Sequence, residues 1–417
     1  MLEAPAQQPS PPPVVEGRGR NAAPFRSIHW PSVVQFGLSG VAAAGFWSSA
    51  AALLASGLIQ SIEGTSSGIL DPVSFMSAAG LVLLGLIAAV STGLSGWRLV
   101  GRPPGFSLGR WEKLLRSSIM LMPIVLAGGA IAARLPDIAW LFLPAAHLLA
   151  TGLPILFFVL NGRRGLPAGS AQRQWGLLGA GMGLSLVPIL ILEILAGVFV
   201  MGGIIWFVLR DQGVIQDKVN LIQHMIASRQ EVALERITPI VLMILRRREV
   251  LAILLVYIAV LTPLIEETFK PIGLLFLNRR TLTPAAGFVA GMLSGAGFAL
   301  IESLSQAVAG SGWALNAVGR LGAGLMHVTT TGLVGLGAGY ALHGRPGKLA
   351  IYYILAVSLH GAWNTLAVLA SVGLTPELRS GRGIPWELIG GASAAGLVVL
   401  VFLAYRLLSR TRRTLQP

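Results

Sequence analysis

The chain has 417 residues, of which 54% are hydrophobic and 12% charged, and its mean hydropathy is +0.74. Soluble domains carry charge on roughly a quarter of their residues, so this composition excludes a soluble globular protein and indicates an integral membrane protein. The absence of cysteine excludes disulfides, thiolate metal sites and a cysteine nucleophile. The net charge of +14 is typical of membrane proteins with basic loops, and no basic patch interleaved with aromatic residues indicates a nucleic-acid partner.

Residues 1–32 are rich in proline and contain no apolar block, which predicts a disordered cytoplasmic tail and not a signal peptide. Ten apolar segments follow, each of about the 20 residues that a membrane-spanning helix needs. They predict an all-α integral membrane protein, a polytopic bundle of ten transmembrane helices in contact with the lipid bilayer. The predicted spans are Val34–Ile59, Pro72–Leu94, Leu114–Ala133, Ile138–Leu160, Gly176–Leu209, Val250–Leu277, Pro284–Ala309, Leu321–Leu342, Leu349–Val372 and Leu388–Leu408.

Four regions are expected after the tail: a five-helix membrane region (33–209), a connecting segment (210–249), a membrane core (250–372), and a last helix with a basic cytoplasmic tail (373–417). The connecting segment has apolar residues at helical spacing, which favours an amphipathic helix lying in the membrane interface. A further membrane crossing in that segment is the alternative, and it would invert the topology of everything downstream.

Lysine and arginine are concentrated in alternate loops, which predicts cytoplasmic N- and C-termini in the plasma membrane. The short outer loops hold few basic residues, and the connecting segment is the exception because Arg246, Arg247 and Arg248 would lie outside. Long connections follow the positive-inside rule poorly. The basic residues of the short outer loops are Arg134, Arg320, Arg379 and Arg382.

Ionisable residues lie inside the predicted spans, and most are concentrated between the sixth and the ninth. A charge at the centre of a membrane helix costs roughly 2.5–3.5 kcal/mol, so the four charges of the sixth and seventh spans cost on the order of 10 kcal/mol before pairing. Such a cluster indicates a functional site with a polar cavity. The ionisable residues are His147, Glu193, Glu266, Glu267, Lys270, Glu302, His327 and His360, with Arg320 at a margin.

The sixth span contains the stretch LTPLIEETFKPIG, with Glu266, Glu267 and Lys270 between two prolines. Residues three and four apart share a helix face, so Lys270 can neutralise one carboxylate while the other stays free. Pro263 and Pro271 are expected to interrupt the helix, which frees backbone carbonyls and lets water or substrate approach.

The next three spans carry the partners of these carboxylates. The seventh span has glycines four apart, a face along which another helix can approach closely, and Glu302 lies on or near that face. Arg320 and His327 are seven residues apart, and His360 and Asn364 are four apart, so each pair shares a helix face. These side chains can therefore converge in one interior cavity, although Arg320 is more typical of a residue that extends its charge to the interface.

Two histidines with one or two carboxylates can bind a divalent metal ion that activates water and polarises a carbonyl. A carboxylate outside the ligand set would act as general base, and the Asn364 amide can stabilise an oxyanion. This chemistry favours peptide hydrolysis. We expect Glu267 to activate water, with a divalent ion held between His327, His360 and Glu302, or directly if no metal is present.

The ordered pattern Glu266-Glu267-x-x-Lys270, Phe298-x-x-x-Glu302, His327 and His360-x-x-x-Asn364 resembles the PrsW family of intramembrane proteases. That family is related to the CAAX-processing Abi proteases and to the APH-1 subunit of gamma-secretase. The resemblance implies that residues 250–372 form a catalytic membrane core that cleaves membrane-anchored proteins, of which anti-sigma factors are the example.

The resemblance also implies site residues. It assigns catalytic roles to Glu266, Glu267, Glu302, His327 and His360. We add Asn364 as a further catalytic candidate and Lys270 and Arg320 as supporting residues. The candidate metal ligands are Glu267, Glu302, His327 and His360, and zinc is the first candidate ion. The family is described both as glutamic-type and as metal-dependent, and both mechanisms remain open here.

Two other functions are compatible with the same residues. A catalytically inactive scaffold similar to APH-1 would bind membrane proteins through the polar cavity, and a proton-coupled transporter would use the glutamates and histidines as relays. The absence of an internal repeat argues against the transporter. His147, Glu193, His224 and His343 lie outside the pattern, and no role is assigned to them.

Overall fold

The computed structural model describes residues 29–62, 71–102, 109, 111–210, 244, 247–374 and 385–417. Within these ranges the chain is helical and contains no strand. The helices are numbered in chain order. They are α1 (Trp30–Ile62), α2 (Pro72–Leu99), α3 (Trp111–Ser117), α4 (Met122–Ala132), α5 (Pro136–Gly162), α6 (Ala171–Gly179), α7 (Leu186–Arg210), α8 (Arg248–Val256), α9 (Thr262–Phe269), α10 (Pro284–Ser305), α11 (Trp313–Leu342), α12 (Pro346–Leu374) and α13 (Trp386–Leu415).

Ten helical segments of the described chain are long and apolar enough to cross a membrane, which confirms the predicted all-α polytopic bundle. Four of these segments are composite. A 3₁₀ turn joins α3 to α4, a π-helical turn joins α6 to α7, π-helical and 3₁₀ turns flank α9, and a 3₁₀ turn precedes α11. The predicted interfacial helix in 210–249 lies almost entirely outside the described residues, and the proposed domain boundaries remain predictions.

Helices α10 and α11 form the centre of the bundle. In each of the two spans that contain them, 89% of the residues in an 18-residue apolar stretch are buried. The corresponding share is 11% for the first span and 28% for the span that contains α12. The outer helices expose large apolar side chains, such as Phe199 at 84% and Val198 at 67%. Apolar side chains directed outward are stable in lipid, so the outer helices can face the bilayer while α10 and α11 hold a protected interior.

The close contact of α10 with α11 depends on the glycines of α10. A β-carbon at Gly291 would lie 2.2 Å from the Thr331 carbonyl oxygen, and one at Gly295 would lie 2.4 Å from the His327 carbonyl oxygen. No side chain fits between backbones at this distance, which confirms the predicted small-residue packing face. The contact places the backbone of His327 directly against α10.

Replacing Gly291 with alanine should therefore destabilise the bundle by about 1–3 kcal/mol, since backbone atoms must move to accept the methyl group. Denaturant unfolding of the purified protein in detergent measures the change. Gly45→Ala in α1 is the matched control, because a β-carbon there has open space around it. Equal stability of both variants would show that the two helices are not in backbone contact.

Candidate active site

The sixth span is interrupted on both sides of its carboxylates. A π-helical turn (Tyr257–Leu261) precedes α9, and 3₁₀ turns (Lys270–Phe276) follow it. Pro263 and Pro271 have no N–H to donate to the preceding turn, so the regular helical bonding cannot continue through them. The predicted interruption is confirmed, and it delivers Glu266, Glu267 and Lys270 to the inside of the bundle.

Lys270 is the centre of the charged cluster and is completely buried. Its Nζ lies 2.6 Å from Glu266 Oε2, 2.9 Å from Glu267 Oε1 and 2.8 Å from His327 Nδ1. Nζ also lies 4.6 Å from the centroid of the Phe298 ring, a cation–π contact. Lys270 thus donates to Glu267 and His327 and makes an ion pair with Glu266, so it neutralises part of the charge of both adjacent glutamates.

Glu267 is completely buried and its carboxylate is saturated with donors. Oε1 accepts from Lys270, from the Thr330 hydroxyl at 3.0 Å and from His360 Nδ1 at 3.0 Å, and Oε2 accepts from the Thr331 hydroxyl at 3.2 Å. A carboxylate held by four donors has a fixed position and little freedom to accept a further proton or a ligand. The geometry is that of an orienting group for His360.

Glu266 has a different environment from its neighbour. It is 6% exposed, and Oε2 makes an ion pair with Lys270 but lies 3.8 Å from His360 Nε2, too far for a hydrogen bond. One ligand atom from each of Glu266, His327 and His360 can be chosen so that all three lie within 4.8 Å of one another. The predicted ligand set used Glu267 and Glu302 with the two histidines, whereas the structure groups Glu266 with them.

Glu302 reaches the cluster from α10 and is the most open of the three glutamates in the motifs, with 28% of its side chain exposed. Its Oε2 lies 2.6 Å from His327 Nε2 and 2.6 Å from Arg320 Nη2. Arg320 also donates from Nε to the Ser303 hydroxyl at 3.0 Å. Arg320 is thus directed at Glu302, in place of the extension to the interface expected from sequence.

Each histidine is held by a carboxylate through one nitrogen, and the other nitrogen of His327 accepts from Lys270. His360 donates from Nδ1 to Glu267, and His327 donates from Nε2 to Glu302, because ionised carboxylates can only accept. Metal-binding histidines in proteins are characteristically oriented in this way, with the second nitrogen bonded to a carboxylate. The nitrogens not bonded to a carboxylate are His360 Nε2 and His327 Nδ1, and an ion beside Glu266 that used the second would have to displace Lys270 from it.

Asn364 does not join the cluster through its amide. Its Nδ2 donates to the backbone carbonyl of Ile258 at 2.9 Å, in the π-helical turn before α9. The π turn changes the regular bonding of the helix, and Asn364 supplies a donor for one of its carbonyls. This contact attaches α12 to the sixth span, and the oxyanion contact expected from sequence stays a prediction.

Glu193, to which sequence reasoning assigned no role, lies at the site. Its carboxyl group interacts with that of Glu266, and its Oε1 is buried with no hydrogen-bond partner among the described residues. Its backbone carbonyl accepts from the Tyr257 hydroxyl at 2.9 Å, which ties α7 to the sixth span. The available signal was its position as an isolated carboxylate in an apolar span, which by default indicates function.

The charge of the cluster favours a cation. Glu266, Glu267 and Glu302 carry three formal negative charges, and Lys270 and Arg320 carry two positive ones. With both histidines neutral, one negative charge remains. Two histidines and one glutamate are also a familiar donor set for catalytic zinc. Because Lys270 contacts both Glu266 and His327 Nδ1, its ammonium group would compete with such an ion for these two partners.

The site lies in the middle of the membrane-spanning helices. His327 is the 15th of the 30 residues of α11, and His360 is the 15th of the 29 residues of α12. A polar route leads from there to the end of the bundle where α10 ends and α11 begins. Arg320 Nη1 lies 3.3 Å from Gln306 Oε1, and the Gln306 carbonyl accepts from Asn316 at 2.8 Å.

Comparison with known proteins identifies a family but no individual relative. A model described as PrsW family intramembrane metalloprotease matches residues 191–405, which is half of the chain. The matched range includes Glu193 and every residue of the site described above. Neither a curated protein nor a solved structure matches the chain.

Proposed function

The chain belongs to the PrsW family of intramembrane metalloproteases, and from that premise we propose that it hydrolyses peptide bonds of membrane-anchored proteins at Glu266, His327 and His360. The observation that carries the proposal is that two buried histidines lie at the middle of α11 and α12 and that buried Glu266 of α9 groups with them. An intramembrane protease must bring water and a scissile peptide together at this depth. Charged groups are costly inside the membrane, so a cluster of them there indicates a function.

We assign the metal to Glu266, His327 and His360, and zinc is the ion that this donor set suits. When bound, it would supply a Lewis acid that polarises the scissile carbonyl and promotes ionisation of water. Glu267 and Glu302 orient the two histidines and increase their strength as ligands. Lys270 and Arg320 hold those two carboxylates in place, and Asn364 holds α12 against the sixth span.

Water and substrate reach the site, in this proposal, along the polar route at the end of α10. Glu302 is partly exposed there and is bonded to Arg320, so its carboxylate can stay ionised beside solvent. The predicted topology places this end of the bundle on the outer side of the plasma membrane. Substrates anchored by a transmembrane helix, such as an anti-sigma factor, would be cut within or close to that helix.

The experiment that tests the function compares the N-termini of membrane proteins in cells that express the wild type, Glu266→Gln or Glu249→Gln at equal levels. Glu249 is an exposed carboxylate at the start of α8 and serves as the matched control. New N-termini in or near transmembrane segments, present with the wild type and the control but lost in Glu266→Gln, would support the protease. Identical profiles in all three would favour the inactive scaffold.

Glu193→Gln should weaken metal binding by roughly 10–100-fold, the usual effect of changing a group next to a ligand. The variant removes a carboxyl group that can ionise beside Glu266 and leaves a side chain of the same size. Competition with a chromogenic zinc chelator measures the affinity of the purified protein. Unchanged affinity would show that Glu193 does not contribute to the charge balance of the site.

A further inference from the structure

A second cavity lies away from the active site, between α1, α2, the α6–α7 segment and the end of the sixth span. Its volume is about 580 Å³. The polar lining residues lie at one end, and they belong to the start of α1, the end of α2, the start of α6 and the segment after the sixth span. They include His29, Arg98, Ser170, Arg173 and Asn278.

The polar end of this cavity carries positive charge without a matching carboxylate. Arg98 lies in the last turn of α2 and Arg173 in the first turn of α6, and neither makes an ion pair with a carboxylate within the described ranges. Burial, and after it the charge of Arg98, lower the pKa of His29 below its usual value. His29 is therefore neutral at pH 7 and acts as a polar contact, while the two arginines leave a site that is attractive to an anion.

Most of the remaining lining is apolar and includes Leu38, Phe46, Ala88, Met182 and Val187. Gln35, Ser39 and Gln172 also line the cavity, but they are bonded within the protein. Gln35 donates to the Ser91 hydroxyl at 3.0 Å and to the Gln172 carbonyl at 3.0 Å, and the Ser39 hydroxyl lies 2.9 Å from that of Ser91. An occupant therefore has to be apolar over most of its length and anionic at one end.

The size of the cavity favours a lipid over a peptide helix as its occupant. A membrane-spanning helix about 10 Å wide and 30 Å long occupies roughly 2,400 Å³, more than this cavity holds. An acyl chain is narrower and needs no hydrogen bonds from the wall. We propose that this cavity binds an anionic phospholipid, with its phosphate between Arg98 and Arg173 and an acyl chain along Leu38, Phe46 and Met182.

The positive charge at the polar end of the cavity agrees with its predicted position on the cytoplasmic side of the membrane. Basic pockets between transmembrane helices on the cytoplasmic side characteristically receive anionic lipid headgroups. The start of α1 and the end of α2 lie on that side in the predicted topology. Gly273, which follows Lys270 by three residues, also lines the cavity, so a bound lipid would pack against the 3₁₀ segment that carries the active-site lysine.

The test measures lipids retained by the full-length protein. The protein is exchanged into nanodiscs of equal parts phosphatidylglycerol and phosphatidylcholine, extracted in mild detergent and examined by native mass spectrometry. The wild type should retain phosphatidylglycerol in preference to phosphatidylcholine. Arg98→Gln/Arg173→Gln should reduce that preference by roughly 30-fold, given about a factor of five for each arginine near the membrane surface.

Two further variants make the outcome decisive. Arg345→Gln/Lys348→Gln removes two exposed basic residues of the same predicted side and should leave retention unchanged. Ala88→Phe narrows the apolar part and should lower retention with both arginines present. Displacement of the lipid signal by 10 mM inorganic phosphate would show an anion site without an acyl chain, and equal retention by the two double variants would show non-specific attraction. Either result would overturn the proposal, and neither depends on proteolytic activity.

Discussion

Glu266→Gln is expected to abolish proteolysis, with a loss of at least roughly 100-fold in turnover, while the protein stays folded. Glu266 is the motif carboxylate that groups with both histidines, and an amide oxygen is a poor replacement for a carboxylate as a metal ligand or as a base. The fold should survive because Lys270 keeps its contacts with Glu267 and His327. Cleavage of a reconstituted membrane-anchored substrate measures turnover, and metal analysis of the same sample should show loss of bound zinc.

The comparison with Glu267→Gln distinguishes the two adjacent glutamates. Glu267 accepts four hydrogen bonds, so its amide variant places an NH₂ group against existing donors and should lower stability as well as activity. Glu266→Gln should lower activity at nearly unchanged stability. If Glu266→Gln retained full activity and Glu267→Gln lost activity without unfolding, Glu267 and not Glu266 would be the catalytic carboxylate, as expected from sequence.

Sequence reasoning could identify the site residues better than their roles. The spacing of Glu266, Glu267 and Lys270 shows that they share a helix face, but adjacent residues point about 100° apart, and only the packing of the neighbouring helices decides which one is enclosed. Thr330 and Thr331 enclose Glu267, and neither is distinguishable in sequence from ordinary helix-packing threonines. The division of labour between the two glutamates therefore depends on tertiary contacts.

The remaining differences have the same origin. Arg320 of α11 makes an ion pair with Glu302 of α10. Helix α11 begins at Trp313, eight residues before the predicted start, so Arg320 lies inside the helix and not at its end. Asn364 bonds to a π-helical turn, which hydropathy cannot reveal. Glu193 reaches the site from a helix with no motif of its own.

The fold was more predictable than the site, because the bilayer limits the alternatives. A spanning segment must satisfy its backbone bonds internally, so length and hydropathy suffice to locate helices. The ten predicted spans all coincide with ten helical segments of the described chain, and the differences are at their ends. Orientation depends on small differences in loop charge and stays a prediction.

Lys270→Met is expected to destabilise the protein by about 3–5 kcal/mol, the usual cost of removing one partner from a buried ion pair. Methionine fills similar space, but Glu266 and Glu267 would lose their common cation at a position that is completely buried. Unfolding by sodium dodecyl sulfate in mixed micelles measures the loss. Lys270→Met/Glu267→Gln is the matched variant, and it should recover part of the stability because one of the two stranded charges is gone.

Zinc connects this prediction with the metal site. Lys270 occupies two of the contacts that a metal ion would need, so removing it both frees Glu266 and His327 Nδ1 and increases the local negative charge. A ligand that binds only the folded state stabilises it by RT ln(1 + [L]/Kd). Added zinc should therefore raise the stability of Lys270→Met by more than that of the wild type. Equal stabilisation of the two would mean that the lysine and the metal do not share partners, and the ligand assignment would have to move away from Glu266 and His327.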